Sequence, residues 1–143
     1  MIVDSSFLVA LLIRRDRSHA RVAALERTLR LRPWLPQPAV TEICYMLEGR
    51  HGPAAVSTFL ASLADGSAGV ALLEPEPNDY GRAAEIIAKY ADSGLDFVDA
   101  LIVALAERLN IGTILTLDHR HFSVVRPRHR AGRSRCRCRA GPE

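Results

Sequence analysis

Short apolar runs alternate with longer segments whose apolar residues recur every three or four positions. Met1–Asp4 reads as a buried strand, and Ser5/Ser6 turn the chain into an amphipathic helix over about 6–13. A second helix is predicted over about 17–30, opening after Asp16 with Leu25 and Leu29 at helical spacing. The proline-punctuated stretch RPWLPQP leaves room only for a very short strand near Trp34–Leu35. Pro38 then suits the first turn of a helix over 38–48 closed by Gly49, and Pro53 starts another to about Leu63. After the Gly66–Gly69 loop the pattern predicts a strand at Val70–Leu73 and a helix over Glu76–Tyr90. ADSGLD is a turn, and Phe97–Leu109 is apolar on nearly every face, hence a buried helix. Thr113–Leu117 reads as a strand, Asp118–His121 as a turn, and Ser123–Val125 as a last short strand.

Short β-branched strands alternating with helices predict an α/β fold with a parallel sheet. At 143 residues the chain fits one domain, and 48% hydrophobic residues are ample for its core. No apolar run approaches the ~20 residues needed to span a bilayer. The first apolar run is preceded by Asp4 and followed by Arg14 and Arg15, unlike a signal peptide, so no membrane association and a cytoplasmic location are expected.

Charge is unevenly distributed. Residues 126–143 hold seven arginines and one acid, a net +6, whereas the preceding body carries 12 basic and 15 acidic side chains, a net −3. The basic balance therefore belongs to the tail and is no evidence for a nucleic-acid surface on the body. Residues 128–143 show no periodicity and are expected to be a disordered, arginine-rich extension of a domain spanning 1–127. The three cysteines, Cys44, Cys136 and Cys138, predict neither a disulfide framework nor a zinc site.

The candidate chemistry lies in the acids. Asp4 ends the first strand, where ligands bind in parallel α/β sheets. It could equally cap the next helix, although Ser5 and Ser6 could do so too. Asp118 repeats the strand-end placement and could instead form an Asx-turn. Asp99 stands in the first turn of the buried helix. There it is either the acidic half of a capping box with Asp96 or a carboxylate that needs a cation. Glu42 falls opposite the stripe of Val40, Ile43, Cys44 and Leu47, as a solvated acid would, yet Ala39, Tyr45 and Met46 flank it. The histidines, His119 and His121 included, look less catalytic, and nucleophile elbows, phosphate loops and HExxH are absent. Oxygen-only ligation by carboxylates suits Mg²⁺ or Mn²⁺.

Four stretches in order, MIVDSSFLVALL, PAVTEICYML, FVDALIVALAERL and ILTLDHRHFSVVRP, resemble the PIN-domain family, and within it the VapC-type ribonuclease toxins of bacterial toxin–antitoxin pairs. The resemblance covers residues 1 to about 127. It implies a single PIN-like domain with a parallel sheet of about five strands, the first and fourth adjacent. It also implies an acidic site of Asp4, Glu42, Asp99 and Asp118 holding Mg²⁺ or Mn²⁺, and so overrides the surface reading of Glu42. Ser6 and Thr116 match positions that support the acids by hydrogen bonding, and Asp96 is a further supporting candidate.

The implied reaction is metal-dependent endonucleolytic hydrolysis of RNA, with Arg14, Arg15, Arg120 and Arg126 as candidates for gripping the substrate. A VapB-like antitoxin over helices 6–30 and 38–63 and a homodimer are implied likewise. The alternative is a catalytically weak PIN domain that binds RNA or antitoxin without cleaving. One departure from the family is the C-terminus, where RAGRSRCRCRAGPE replaces the usual last apolar segment.

Overall fold

The computed structural model describes residues 1–128 and 137–139, and everything below concerns those residues. Four short strands, β1 (Ile2–Val3), β2 (Trp34–Pro36), β3 (Ala71–Leu73) and β4 (Thr113–Leu115), form a parallel sheet in the order β3-β2-β1-β4. A fifth three-residue strand, β5 (Arg137–Arg139), pairs in parallel with the outer edge of β4. These three residues fall within the extension expected to be disordered, and the rest of 129–143, with that expectation, lies outside the described residues.

Helices cover both faces. On one lie α1 (Ser5–Leu12), α2 (His19–Glu26), α3 (Gln37–His51) and α4 (Pro53–Ala64). Their apolar faces, including Phe7, Leu8, Val22, Ile43 and Phe59, pack against Val3, Leu35 and Leu115. On the other lie α5 (Pro77–Lys89), α6 (Phe97–Arg108) and α7 (His119–Val124), packed around Ile2 and Ile114. Alternate strand residues therefore feed opposite cores, as the pleat requires: Ile2 and Ile114 one layer, Val3 and Leu115 the other. Helix α6 meets its expectation of burial, since every residue from Asp99 to Ala106 is buried. No helix among the described residues is long and apolar enough to cross a membrane.

Several boundaries differ from the sequence reading: α2 spans His19–Glu26 and not 17–30, and β4 ends at Leu115 and not Leu117. Helix α3 runs through Gly49 and ends only at Gly52, whose φ of 76° an L side chain rarely adopts; Pro53 then opens α4. The strand expected at Ser123–Val125 belongs largely to α7. Asp118 starts that helix, its carboxylate accepting from the Arg120 and His121 N–H groups, and Phe122 and Val125, three apart, are both buried against α6.

Arginines lock α5 onto α6. Arg108 Nε lies 2.9 Å from Asp79 Oδ1, and Arg82 Nε lies 2.7 Å from Glu107 Oε2. The acids sit at the opposite, carboxyl end of the strands, where the chain leaves β1 and β4 side by side. The Asp4 N–H donates to the Leu115 carbonyl at 2.9 Å, so the adjacency of these two strand ends is direct.

Candidate active site

Asp4 is 5% exposed and does not cap α1. Its Oδ2 instead accepts from the Ser6 hydroxyl at 2.6 Å and the Thr116 hydroxyl at 2.8 Å; the Ser5 hydroxyl lies 3.3 Å from Oδ1. Each neighbour is itself fixed. The Leu117 N–H donates to Ser6 Oγ at 3.0 Å, and the Asp118 N–H to Thr116 Oγ1 at 2.9 Å. Ser6 on α1 and Thr116 after β4 thus tie two strand ends together through one carboxylate. Thr116 is fully buried. Thr116→Val keeps its shape but removes the hydroxyl from both partners, with an expected cost of about 1–3 kcal/mol. A lower urea midpoint at unchanged slope is the measurement.

Asp99 enters from α6, 6% exposed. Half of the expected capping box is present: Asp96 Oδ1 accepts from the Asp99 N–H at 2.9 Å. The Asp99 side chain does not return the bond. It turns toward α7, with Oδ2 2.7 Å from His121 Nδ1. Burial first, then the negative charges of Asp96 and Asp4, push the Asp99 carboxyl up to about 7, with His121 pulling the other way.

Glu42 is half-buried on α3. Burial raises its carboxyl above the ordinary range; Asp4 and Asp96 push the same way, and the Ser5 hydroxyl opposes them. The solvated position drawn from the helical wheel is therefore corrected: the side of α3 that turns from the core turns toward the other acids.

Asp118 stands slightly apart. One oxygen caps α7, accepting from the Arg120 N–H at 3.1 Å, and the other lies 3.6 Å from His121 Nδ1. The Asx-type role and the strand-end placement both hold. His121, which sequence reasoning passed over, is the side chain that links Asp118 to Asp99. Its signal was its position three residues after a capping aspartate, which places its ring on the first turn of a helix.

The structure does not bring the four candidate arginines to one groove. Arg14 and Arg15 line a groove with Leu47, His51 and Phe59 between the end of α1 and α3/α4. The Arg120 and Arg126 side chains are exposed, and Arg126 meets Tyr90 through its backbone N–H. A cleft that begins at Ser6 and Leu117 is lined instead by Arg17, Arg21 and Arg50.

The resulting arrangement has Asp4, Glu42, Asp96 and Asp99 within electrostatic reach of one another at the sheet's carboxyl edge. A model of the PIN domain matches residues 1–126. The chain belongs to the PIN-domain family. Ribonuclease VapC26 of Mycobacterium tuberculosis (strain ATCC 25618 / H37Rv) is 35% identical over 136 residues, covering 89% of this chain and 93% of that protein. The crystal structure of Mycobacterium tuberculosis VapC20, a Sarcin-Ricin loop cleaving toxin, matches with a TM-score of 0.74 at 22% identity, over 82% of this chain and 89% of that one. That second likeness concerns the fold alone.

The donor set of this PIN domain suits a hard cation. It consists of carboxylate oxygens, two of them on groups held above their ordinary pKa partly by like charge, and a divalent ion relieves that repulsion. The cage is not closed in this conformation. Among the described residues no three carboxylate, imidazole or thiol groups converge on one point, because Asp99 faces His121 and Asp118 caps α7.

Proposed function

We propose that this PIN domain is a Mg²⁺- or Mn²⁺-dependent endoribonuclease and the toxin of a VapBC-type pair, working in the cytoplasm. The observation that carries the reading is the 35% identity to Ribonuclease VapC26 over nearly the whole of both chains, joined to the acidic cluster at the sheet's carboxyl edge. Asp4 and Asp99 would be the central metal ligands, with Glu42 and Asp118 completing the site. When bound, a hard divalent ion supplies Lewis-acid stabilisation of the phosphate and activation of the attacking water.

The chain's own residues do the rest. Ser6 and Thr116 hold Asp4 Oδ2, which leaves Oδ1, met only by the longer Ser5 contact, as the freer oxygen. Asp96 holds the first turn of α6 and keeps Asp99 at the rim. Glu42, its carboxyl raised above the ordinary range chiefly by burial, would orient a water or accept its proton. His121 must surrender or share Asp99 for a ligand to bind there. A VapB-like antitoxin over α1–α4 and a homodimer complete the proposal.

A second reading, an RNA- or antitoxin-binding module that does not cleave, is favoured by one observation: Asp99 and Asp118 already have partners. The test is to incubate antitoxin-free protein with total RNA and Mg²⁺ or Mn²⁺ and to map the new 5′ ends. Discrete cuts that disappear with EDTA are expected. A folded, metal-binding protein that makes no cuts would leave only the binding module.

A further inference from the structure

We propose that the cleft bounded by Arg17, Arg21 and Arg50 is a phosphate track that holds the single-stranded RNA on one side of the cleavage point; the proposal rests on the ribonuclease reading above. The cleft encloses about 590 Å³ and begins at Ser6 and Leu117, the pair joined by the Leu117 N–H to Ser6 Oγ bond beside Asp4. Its mouth is therefore continuous with the acidic site. Along α3, Glu42, Met46 and Arg50 recur every fourth residue and share one helix face. The line from Glu42 to Arg50 spans roughly 12 Å, within reach of the next phosphates along a strand.

Charge decides the class of ligand. Arg82, Arg108 and Arg128 all pair with acids on the α5/α6 side of the sheet. Among the described residues, Arg17, Arg21 and Arg50 have no carboxylate oxygen within 4.0 Å. The acid that lines the cleft, Asp16, is already engaged, its Oδ1 accepting from the Ser18 N–H at 2.7 Å. Three guanidiniums against the one carboxylate of Asp16 leave the cleft with an excess of positive charge, which an anion relieves. Guanidinium pairs with phosphate through two parallel hydrogen bonds and reads no base.

A protein segment is the less suitable occupant. The groove beyond Arg14 and Arg15, where Leu12 is exposed and Ile13 and Ala55 are partly so, offers the apolar surface that a helix would bury. The arginine cleft carries three guanidiniums and borders the acidic site through Ser6, whose hydroxyl donates to Asp4.

The experiment measures binding of a fluorescein-labelled, mixed-sequence single-stranded RNA oligonucleotide to the full chain by anisotropy, in EDTA so that nothing is cut, across a salt series. Three proteins are compared: the wild type, the triple variant Arg17→Gln, Arg21→Gln, Arg50→Gln, and, away from the cleft, the double variant Arg27→Gln, Arg30→Gln. The triple variant is expected to lose about 2 from the slope of log K against log salt, and about 100-fold in affinity at 0.1 M salt. The double variant should match the wild type. Should the triple variant fail to fold, each single Arg→Gln variant is expected to reduce the slope by about 0.7.

An unchanged slope in the triple or single variants overturns the track, as does a wild type that does not bind RNA. So does a triple variant that sheds a co-purifying protein partner while keeping its RNA slope. The ribonuclease reading fails separately. A wild type that binds with the expected slope but never cuts RNA in Mg²⁺ or Mn²⁺ sinks that reading and leaves the track standing. A wild type that cuts while the variants bind as it does sinks only the track.

Discussion

Asp99→Asn, and separately Asp4→Asn, should lower the rate of RNA cleavage by about 10³-fold or more. Each change removes a formal charge from the proposed ligand set, and a ligated metal stabilises the transition state by several kcal/mol. Both substitutions preserve shape, so the loss is one of charge and not of packing. Asp99 permits a further test of sign. The wild-type carboxyl is held up to about 7 by burial and by Asp96 and Asp4, so above that pH its ionised form strains the metal-free fold. Asparagine carries no such charge. The variant should therefore unfold at a higher urea concentration than the wild type at about pH 8 in EDTA, and near-equally at about pH 4, where both side chains are neutral. Lost cleavage with gained stability marks a group kept for function and not for folding. A variant that lost both together would point to a structural carboxylate. End-labelled RNA cut under single-turnover conditions, beside urea titrations at the two pH values, reads both.

How far the site could be read from the chain depends on what each residue's neighbours were. Strand-end acids are visible because a short apolar run followed by Asp and a helix is a local pattern, and Asp4 and Asp118 stand where that pattern puts them. What joins them is not local. The β1–β4 pairing spans most of the chain, and only the resemblance implied it before the Asp4 to Leu115 bond was seen. Glu42 shows the limit of a helical wheel. The wheel tells which side of α3 leaves the core but not whether water or another carboxylate waits there. Asp118–His121 reads as a turn before a strand, and that reading gives the His121 ring no acid to meet. A turn lets the side chains alternate, whereas α7 brings the His121 ring back toward both Asp118 and Asp99. The same misreading produced the strand at Ser123–Val125. The arginines show a third kind of limit, since no one-dimensional pattern distinguishes Arg14 and Arg15 from Arg17 and Arg21. The turn between α1 and α2 sends the first pair to one groove and the second to another.

Apparent Mn²⁺ affinity should rise about tenfold for each pH unit up to about 7 and then level off. A proton and a cation compete for the Asp99 carboxylate, and at a pKa of about 7 the proton must leave before the oxygen can ligate. The stability of the metal-free protein should move the opposite way. Between the ordinary carboxylate range and about pH 7 the folded state holds a proton that the unfolded chain has already released. Stability is therefore greatest below that range and is lost as the pH rises through about 7. Glu42, raised by burial and by the same neighbours, adds to this slope with the same sign. Bound cation reverses the trend, because a ligand that binds only the folded state stabilises it by an amount that grows with the logarithm of its affinity. Calorimetric titration with Mn²⁺ in two buffers of different ionisation enthalpy gives the affinity and the number of protons released. Release of close to one proton at about pH 6, falling towards none at about pH 8.5, is the expected course. Flat affinity across that range with no proton release would mean that the cation binds without Asp99, and His121 would then keep its carboxylate partner in the loaded protein.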